Sequence, residues 1–398
     1  MYLKAIEVSH FRSFAARQFE LSSGLNVLLG PNASGKTNLL EAIHVLSNLR
    51  SFRTPALKEL IQWGTSEGFL RGEVHAAERV ASGFSKTTTL AVGIKPHTRI
   101  PLINSKPCRS SKDYLPLLPT TTFVPDDLSL VKGAPASRRY FLDRGTFLFY
   151  PSYWGMLTDY NRLLQQKNAL LRKRLAKEKD GSETGLDASG KESFTVWNAQ
   201  LQILGSQIIL RRMQFLQRLQ RYVKTIYAQW LGSRETLDLH YKSSIGSVSE
   251  IVGVGSNVEG WEHEDIYQSI QQLYDQAIHR IAAREYRVGT TLVGAHRDDI
   301  DIKLSGKSLR SYGSQGQQRT AVLALKLAEV SLYFEQYAEY PVLLLDDVTS
   351  ELDEQRNMAL FEYLDSGMQV FISTTHALDL SPVNAVPVAC IDLSKDES

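Results

Sequence analysis

Gly30-Pro31-Asn32-Ala33-Ser34-Gly35-Lys36-Thr37 sets two glycines, a lysine and a hydroxyl at the spacing that wraps backbone around phosphate. Glycine lets the chain approach phosphate oxygens closely. Successive N–H groups and a following helix N-terminus favour an anion. In that arrangement Lys36 reaches the β- and γ-phosphates of ATP and the Thr37 hydroxyl ligates Mg²⁺. The bland alternative is a glycine-rich surface turn carrying a solvated lysine. Context opposes it: an apolar strand over residues 25–29 precedes the motif, and a helical pattern over 36–49 follows.

A second acidic site lies far along the chain. The unbroken apolar run Val342-Leu343-Leu344-Leu345 reads as a buried parallel strand. Asp346 and Asp347 then fall at its carboxyl end, where α/β sheets place their sites. Asp346 is expected in the Mg²⁺ shell and Asp347 is expected to polarise the attacking water. Asp353, a few residues on, is a candidate bridge to a partner subunit or simply a helix cap.

Ser314-Gln315-Gly316-Gln317 opens a strong helix with Ser314 as its N-cap. Such a helix start, with Gly316 near its tip, is an exposed anion receptor. Ser314, Gly316 and Gln317 are therefore candidate nucleotide contacts. Within one subunit they are expected to lie too far from the chain's own phosphate loop. The γ-phosphate they serve then belongs to a facing molecule, and two ATP molecules hold a head-to-tail dimer together.

The positioning elements are legible in outline. Residues 1–8, 17–21, 69–78 and 87–95 read as strands, whereas five prolines mark 95–120 as loop. Long helical patterns cover residues 153–179, 193–230 and 263–285, with polar or Gly/Ser/Val stretches at 180–190 and 245–260. Gly205 is a candidate bend. The fold class is α/β: a phosphate-loop ATPase head, split in sequence, with a mainly helical inserted second domain. The expected boundaries are 1–148 and 286–398 for the head and 149–285 for the insertion.

Composition excludes several classes. With 398 residues, 43% hydrophobic and 22% charged, the chain has ordinary globular character. A net charge of +2 makes any nucleic-acid surface local. Two cysteines give no disulfide framework, and nine histidines show no paired spacing for zinc. The charged N-terminus is unlike a signal peptide, and no apolar run reaches the ~20 residues that span a bilayer. The expectation is a cytoplasmic protein with no membrane partner.

From Ser193 to Arg234 there is no acidic residue, while Arg211, Arg212, Arg218, Arg221, Lys224 and Arg234 all fall there. Arg162, Lys167, Arg172, Lys173, Arg174, Lys177 and Lys179 crowd the preceding helix. These faces suit sequence-independent phosphate contact, with Arg211, Arg218 and Arg221 sharing one helix side. Arg138 and Arg139 are a second DNA-binding candidate, or a structural brace.

Taken together, these residues resemble the ABC-type ATPase class of DNA-repair and chromosome-maintenance proteins, and within it the RecF family. The resemblance is carried by His10-Phe11-Arg12-Ser13-Phe14, by residues 125–143 around Ser137-Arg138-Arg139-Tyr140-Phe141-Leu142-Asp143, by Val293-Gly294-Ala295-His296-Arg297-Asp298-Asp299, and by residues 343–353. Ala295 departs from the family's usual proline. The resemblance implies an ATP- and Mg²⁺-dependent homodimer in recombinational repair, replication-fork recovery and the SOS response. It implies binding to single-stranded, gapped and double-stranded DNA, and cooperation with RecR and RecO in loading a recombinase. It implies a weak, DNA-dependent ATPase. Aspartate at 347, where related ATPases carry glutamate, points to slow turnover. The competing readings are an ATP-binding scaffold with negligible hydrolysis and a transporter ATPase subunit. Arg12 and His376 are possible nucleotide contacts on the same analogy, and Pro125-Asp126-Asp127 stands in the place of the class's glutamine loop.

Overall fold

The computed structural model describes residues 1–75, 87–179, 188–231, 235–248, 264–364, 367–376 and 387–394. The chain divides into two compact units. The first comprises Met1–Leu128, Ile226–Ser233 and Ser314–Ser398; the second comprises Ser129–Thr225 and Arg234–Gly313. Of the stretches expected at 180–190 and 245–260, residues 180–187 and 249–260 lie outside the described residues, as does Arg234, while residues 188–190 are helical.

In the first unit, an antiparallel sheet is built from β1 (Tyr2–Phe11), β2 (Phe14–Glu20), β4 (Gly68–His75), β5 (Thr87–Lys95), β6 (Thr98–Ile103) and β7 (Lys106–Pro107), in the order β2-β1-β4-β5-β6-β7. The proline-rich stretch read as loop therefore contains two strands. Pro101 faces Val92, and its carbonyl accepts the Cys108 N–H, so the ladder continues without needing a proline donor.

The second sheet is wholly parallel. It orders β14 (Val388–Asp392), β3 (Leu25–Leu29), β13 (Val370–Thr374), β12 (Val342–Leu345) and β8 (Thr120–Phe123) as β14-β3-β13-β12-β8. Helix α1 (Lys36–Asn48) follows β3 and buries Leu39, Leu40, Ile43 and Leu46. These join Ile6, Val8, Leu70, Leu90 and Val92 of the antiparallel sheet and Leu344 and Phe371 of the parallel one in a single core. A wide apolar stripe on α1, from Val45 and Ala42 through Leu46, Leu39 and Ile43 to Leu40, makes this possible.

Register fixes the site. Leu345 lies opposite Ile372, and Thr374 lies opposite Leu29. The carboxyl ends of β3, β13 and β12 thus share one edge, so Gly30, Ser373 and Asp346 emerge side by side.

In the second unit, helices α2 (Pro135–Phe149), α3 (Tyr153–Lys179), α4 (Ala188–Leu231, whose residues from Ile226 on count with the first unit) and α5 (Glu264–Val288) accompany a three-stranded antiparallel sheet of β9 (Leu237–Lys242), β10 (Asp299–Leu304) and β11 (Lys307–Ser308). Gly205 does not break α4. A Cβ there would meet the Tyr274 ring at 2.5 Å, so the glycine admits a neighbouring aromatic.

Part of the basic character of this unit is internal. Arg212 is buried: its Nε donates to Asp143 Oδ1 at 2.8 Å and its Nη1 to the Ala295 carbonyl at 2.6 Å. Lys167 is buried against Glu285 at 2.7 Å, whose other oxygen accepts the Leu292 N–H. Both residues leave the expected DNA-facing set, because carboxylates distant in sequence neutralise them. Asp298 receives the Tyr241 hydroxyl, the Ser244 hydroxyl and the Ser244 N–H; burial still pushes its carboxyl above the usual range. His296 is held neutral by burial, with its pKa pushed down to about 4, while Tyr160 Oη and the Thr291 carbonyl satisfy its ring nitrogens.

Candidate functional site

At the end of β3 the chain makes a compact loop. Ala33 and Gly35 take left-handed backbone, with φ of 68° and 101°. A Cβ at Gly30 would meet Ser34 Oγ at 2.5 Å, which accounts for glycine there. Lys36 is buried, and its ammonium donates to the carbonyls of Gly30 and Pro31 at 2.6 and 2.8 Å. The loop is thus cinched around its own lysine. Pro31, Asn32 and Ala33 are exposed at its crest.

Thr37 begins the helix and donates its hydroxyl to both oxygens of Asp346, each at 3.0 Å. Ser373, on the intervening strand β13, donates to Asp346 Oδ1 at 2.7 Å. Burial raises the Asp346 pKa; the Ser373 and Thr37 hydrogen bonds oppose it and the neighbouring Asp347 charge adds to it. A carboxylate so placed and a hydroxyl beside it form the hard oxygen set that suits Mg²⁺. Ser373 is the site residue that motif reading misses. Its one signal in the sequence is a hydroxyl directly after the apolar run Val370-Phe371-Ile372, as Asp346 directly follows Val342-Leu343-Leu344-Leu345.

Asp347 is exposed and held in left-handed backbone with φ 52°. Its N–H donates to Ser373 Oγ at 2.8 Å, while its carboxylate makes no cap hydrogen bond to the helical turn it begins. Non-glycine residues in this conformation are uncommon and recur at functional sites. One serine therefore orients both aspartates.

Helix α6 (Gln315–Tyr337) begins with a complete capping box: Gln317 N–H donates to Ser314 Oγ, and Ser314 N–H donates to Gln317 Oε1. Ser314, Gln315 and Gly316 are exposed. The helix packs along β8 and is tied there by Lys326 to Asp127 at 3.1 Å. β8 stands three strands from β3, a lateral offset of about 14 Å. The tip lies eleven residues from Lys326, about 16 Å along the helix. The signature tip opens α6, whereas the phosphate loop joins β3 to α1.

The remaining candidates are accounted for individually. Arg12 forks onto buried Glu41 at 2.8 and 2.9 Å, a pairing that holds the first strand turn to α1. His376 is exposed. Asp127 accepts the Val124 N–H and pairs with Lys326, while Asp126 is exposed. Arg138 is buried in a bidentate pair with Asp299, so it braces rather than presents charge; Arg139 donates to the Asp298 carbonyl. Arg211 and Arg218 lie over the rings of Tyr150 and Phe149, at 4.7 and 5.4 Å. Arg221 and Lys224 are exposed. Among the described residues, no helix is long and apolar enough to cross a membrane.

Comparison with known proteins agrees with this geometry. Residues 2–386 match the family model "RecF/RecN/SMC N terminal domain". The chain is 35% identical over 397 residues to the DNA replication and repair protein RecF of Ligilactobacillus salivarius, covering 99% of this chain and 97% of that one. It is similar to a solved structure of the recombination mediator protein RecF with ATP, in the RecFOR pathway: TM-score 0.82 and 30% identity, over 99% of this chain and 96% of the other. An Smc head bound to the C-terminal winged-helix domain of ScpA shares the fold at TM-score 0.53 and 13% identity, over 96% and 92% of the two chains.

Proposed function

The chain belongs to the RecF family, and from that premise we propose that it is an ATP-dependent DNA-binding protein of recombinational repair that dimerises on ATP and opens on slow hydrolysis. The observation that carries this reading is a complete phosphate loop after β3 together with an exposed, fully capped signature tip on a separate element, α6. A triphosphate cradled by residues 30–37 of one protomer would be covered by Ser314, Gly316 and Gln317 of another. Lys36 would turn from the loop carbonyls to the β- and γ-phosphates. Thr37 and Asp346 would hold Mg²⁺, which supplies charge neutralisation at the phosphates when bound. Asp347 would orient the attacking water, with Ser373 fixing its backbone. The short aspartate side chain supports slow turnover, and a slow step suits a clamp whose closed lifetime matters.

For DNA, the reading rests on Arg211, Arg218, Arg221 and Lys224 of α4, with Arg172 and Lys173 exposed on α3. The aromatic rings beneath Arg211 and Arg218 hold those guanidinium planes in place. Contacts of this kind position phosphates without reading bases, so single-stranded, gapped and double-stranded DNA are all admissible substrates. RecR and RecO are the proposed partners in recombinase loading.

The test is DNA affinity measured with and without ATP across salt concentrations. The parent is expected to bind more tightly with ATP. Arg218→Glu with Arg221→Glu should weaken binding equally on unrelated sequences and flatten the log–log salt slope by roughly 2, one for each phosphate no longer neutralised. Unchanged affinity in the double variant would move the DNA surface elsewhere.

A further inference from the structure

Among the described residues, nothing inside the protomer requires glycine at position 316. Its backbone is not left-handed, and outside its own helical turn a Cβ would meet only Arg356 Nη1, at 3.9 Å, an ordinary van der Waals distance. Glycine in a helix is up to ~1 kcal/mol less favourable than alanine. The missing side chain thus serves an approach from outside, and the group already beside the tip is the Arg356 guanidinium.

Arg356 is itself poorly explained by stability. It stands in the first turn of α7 (Glu354–Tyr363), where the helix dipole disfavours a cation. Its pair with Asp353, at 2.7 Å, involves a carboxylate that is 56% exposed, and such surface pairs contribute about 0–1 kcal/mol. Asp353 already caps α7 through the Arg356 N–H at 2.9 Å, a bond that any residue at 356 except proline would make. The same loop is held from its other side by Asn357, whose Nδ2 donates to the carbonyls of Thr349 and Leu352. The Arg356 side chain is only 20% exposed, and among the described residues its buried Nε has no hydrogen-bond partner.

We infer that Arg356 is a positioning residue of the composite site, joining the Asp353 loop to the signature tip so that both meet a facing protomer as one surface. This rests on the two-protomer reading above. One guanidinium nitrogen, Nη1, holds the Asp353 carboxylate at 2.7 Å and lies 3.9 Å from where a Gly316 Cβ would stand, so a displacement of either segment is felt by the other. It also places a fixed positive charge beside the helix start at which an incoming triphosphate would arrive. Lysine at 356 would keep the charge and remove the planar guanidinium that sets Nη1 between Asp353 and Gly316.

The experiment compares the full-length parent, Arg356→Ala, Arg356→Lys and Ser314→Arg. It measures thermal midpoint, ATP affinity of the dilute protomer, dimer mass at saturating Mg–ATP, and turnover. Arg356→Ala is expected to keep the parent's thermal midpoint and protomer ATP affinity while dimer affinity and turnover fall roughly tenfold, the scale of one charge-assisted hydrogen bond. Arg356→Lys should recover part of that loss. Arg356→Ala that dimerises and turns over like the parent overturns the inference, as does a loss that tracks a lowered thermal midpoint. Ser314→Arg separates the two levels of the account. If it is monomeric while Arg356→Ala still dimerises, only the role of Arg356 falls; if it dimerises normally, the composite site itself is wrong.

Discussion

Lys36→Ala is expected to weaken ATP binding by roughly 10- to 100-fold, the loss of a charged hydrogen-bond donor to phosphate. Asp347→Asn is expected to leave ATP bound and to slow hydrolysis by at least about 100-fold. The two variants separate because the residues stand in different relations to the phosphate seat. Lys36 is buried within the loop, with its ammonium already at the height of the backbone carbonyls that line it. Asp347 is exposed beyond the strand end, oriented only through its backbone N–H. Equilibrium nucleotide binding and single-turnover hydrolysis distinguish them. Hydrolysis unchanged in both variants would remove the catalytic assignment and favour the scaffold reading.

Arg212→Ala is expected to lower folding stability by about 3–5 kcal/mol, read as a large fall in the denaturant midpoint. The substitution takes away the donors to Asp143, to Tyr153 Oη and to the Ala295 carbonyl together, leaving the Asp143 carboxylate without its counter-charge, held by the Tyr153 hydroxyl, and the Ala295 carbonyl without this donor. Arg221→Ala, on the exposed side of the same helix, should change stability by no more than about 0.5 kcal/mol. A loss under ~1 kcal/mol for Arg212→Ala would mean that this network does not hold the second unit together.

The contrast between Arg212 and Arg221 marks the limit of what a linear sequence displays. The phosphate loop, the Asp346-Asp347 pair and the Ser314 cap are legible because each motif is contiguous and its chemistry follows from residue types in order. The long helices are legible from their apolar spacing. Burial of charge is not. Lys167 and Arg212 sit in basic runs that read as solvated faces, yet their neutralising partners, Glu285 and Asp143, lie 118 and 69 residues away. The same reason hides Ser373: its role depends on a strand order that places β13 between β3 and β12. Prolines at 101 and 107 suggest loop where the edge of the antiparallel sheet tolerates them. Proximity of Arg356 to Gly316 is likewise a product of packing, invisible in a linear reading.

The most direct measurement is the solution mass of an Asp347→Ala protein, blocked in hydrolysis, at saturating Mg–ATP. The account predicts twice the 44.7 kDa chain mass, returning to a single chain mass when Ser314→Arg is added. A mass that stays at one chain with the nucleotide site filled, or a dimer that survives Ser314→Arg, would contradict it.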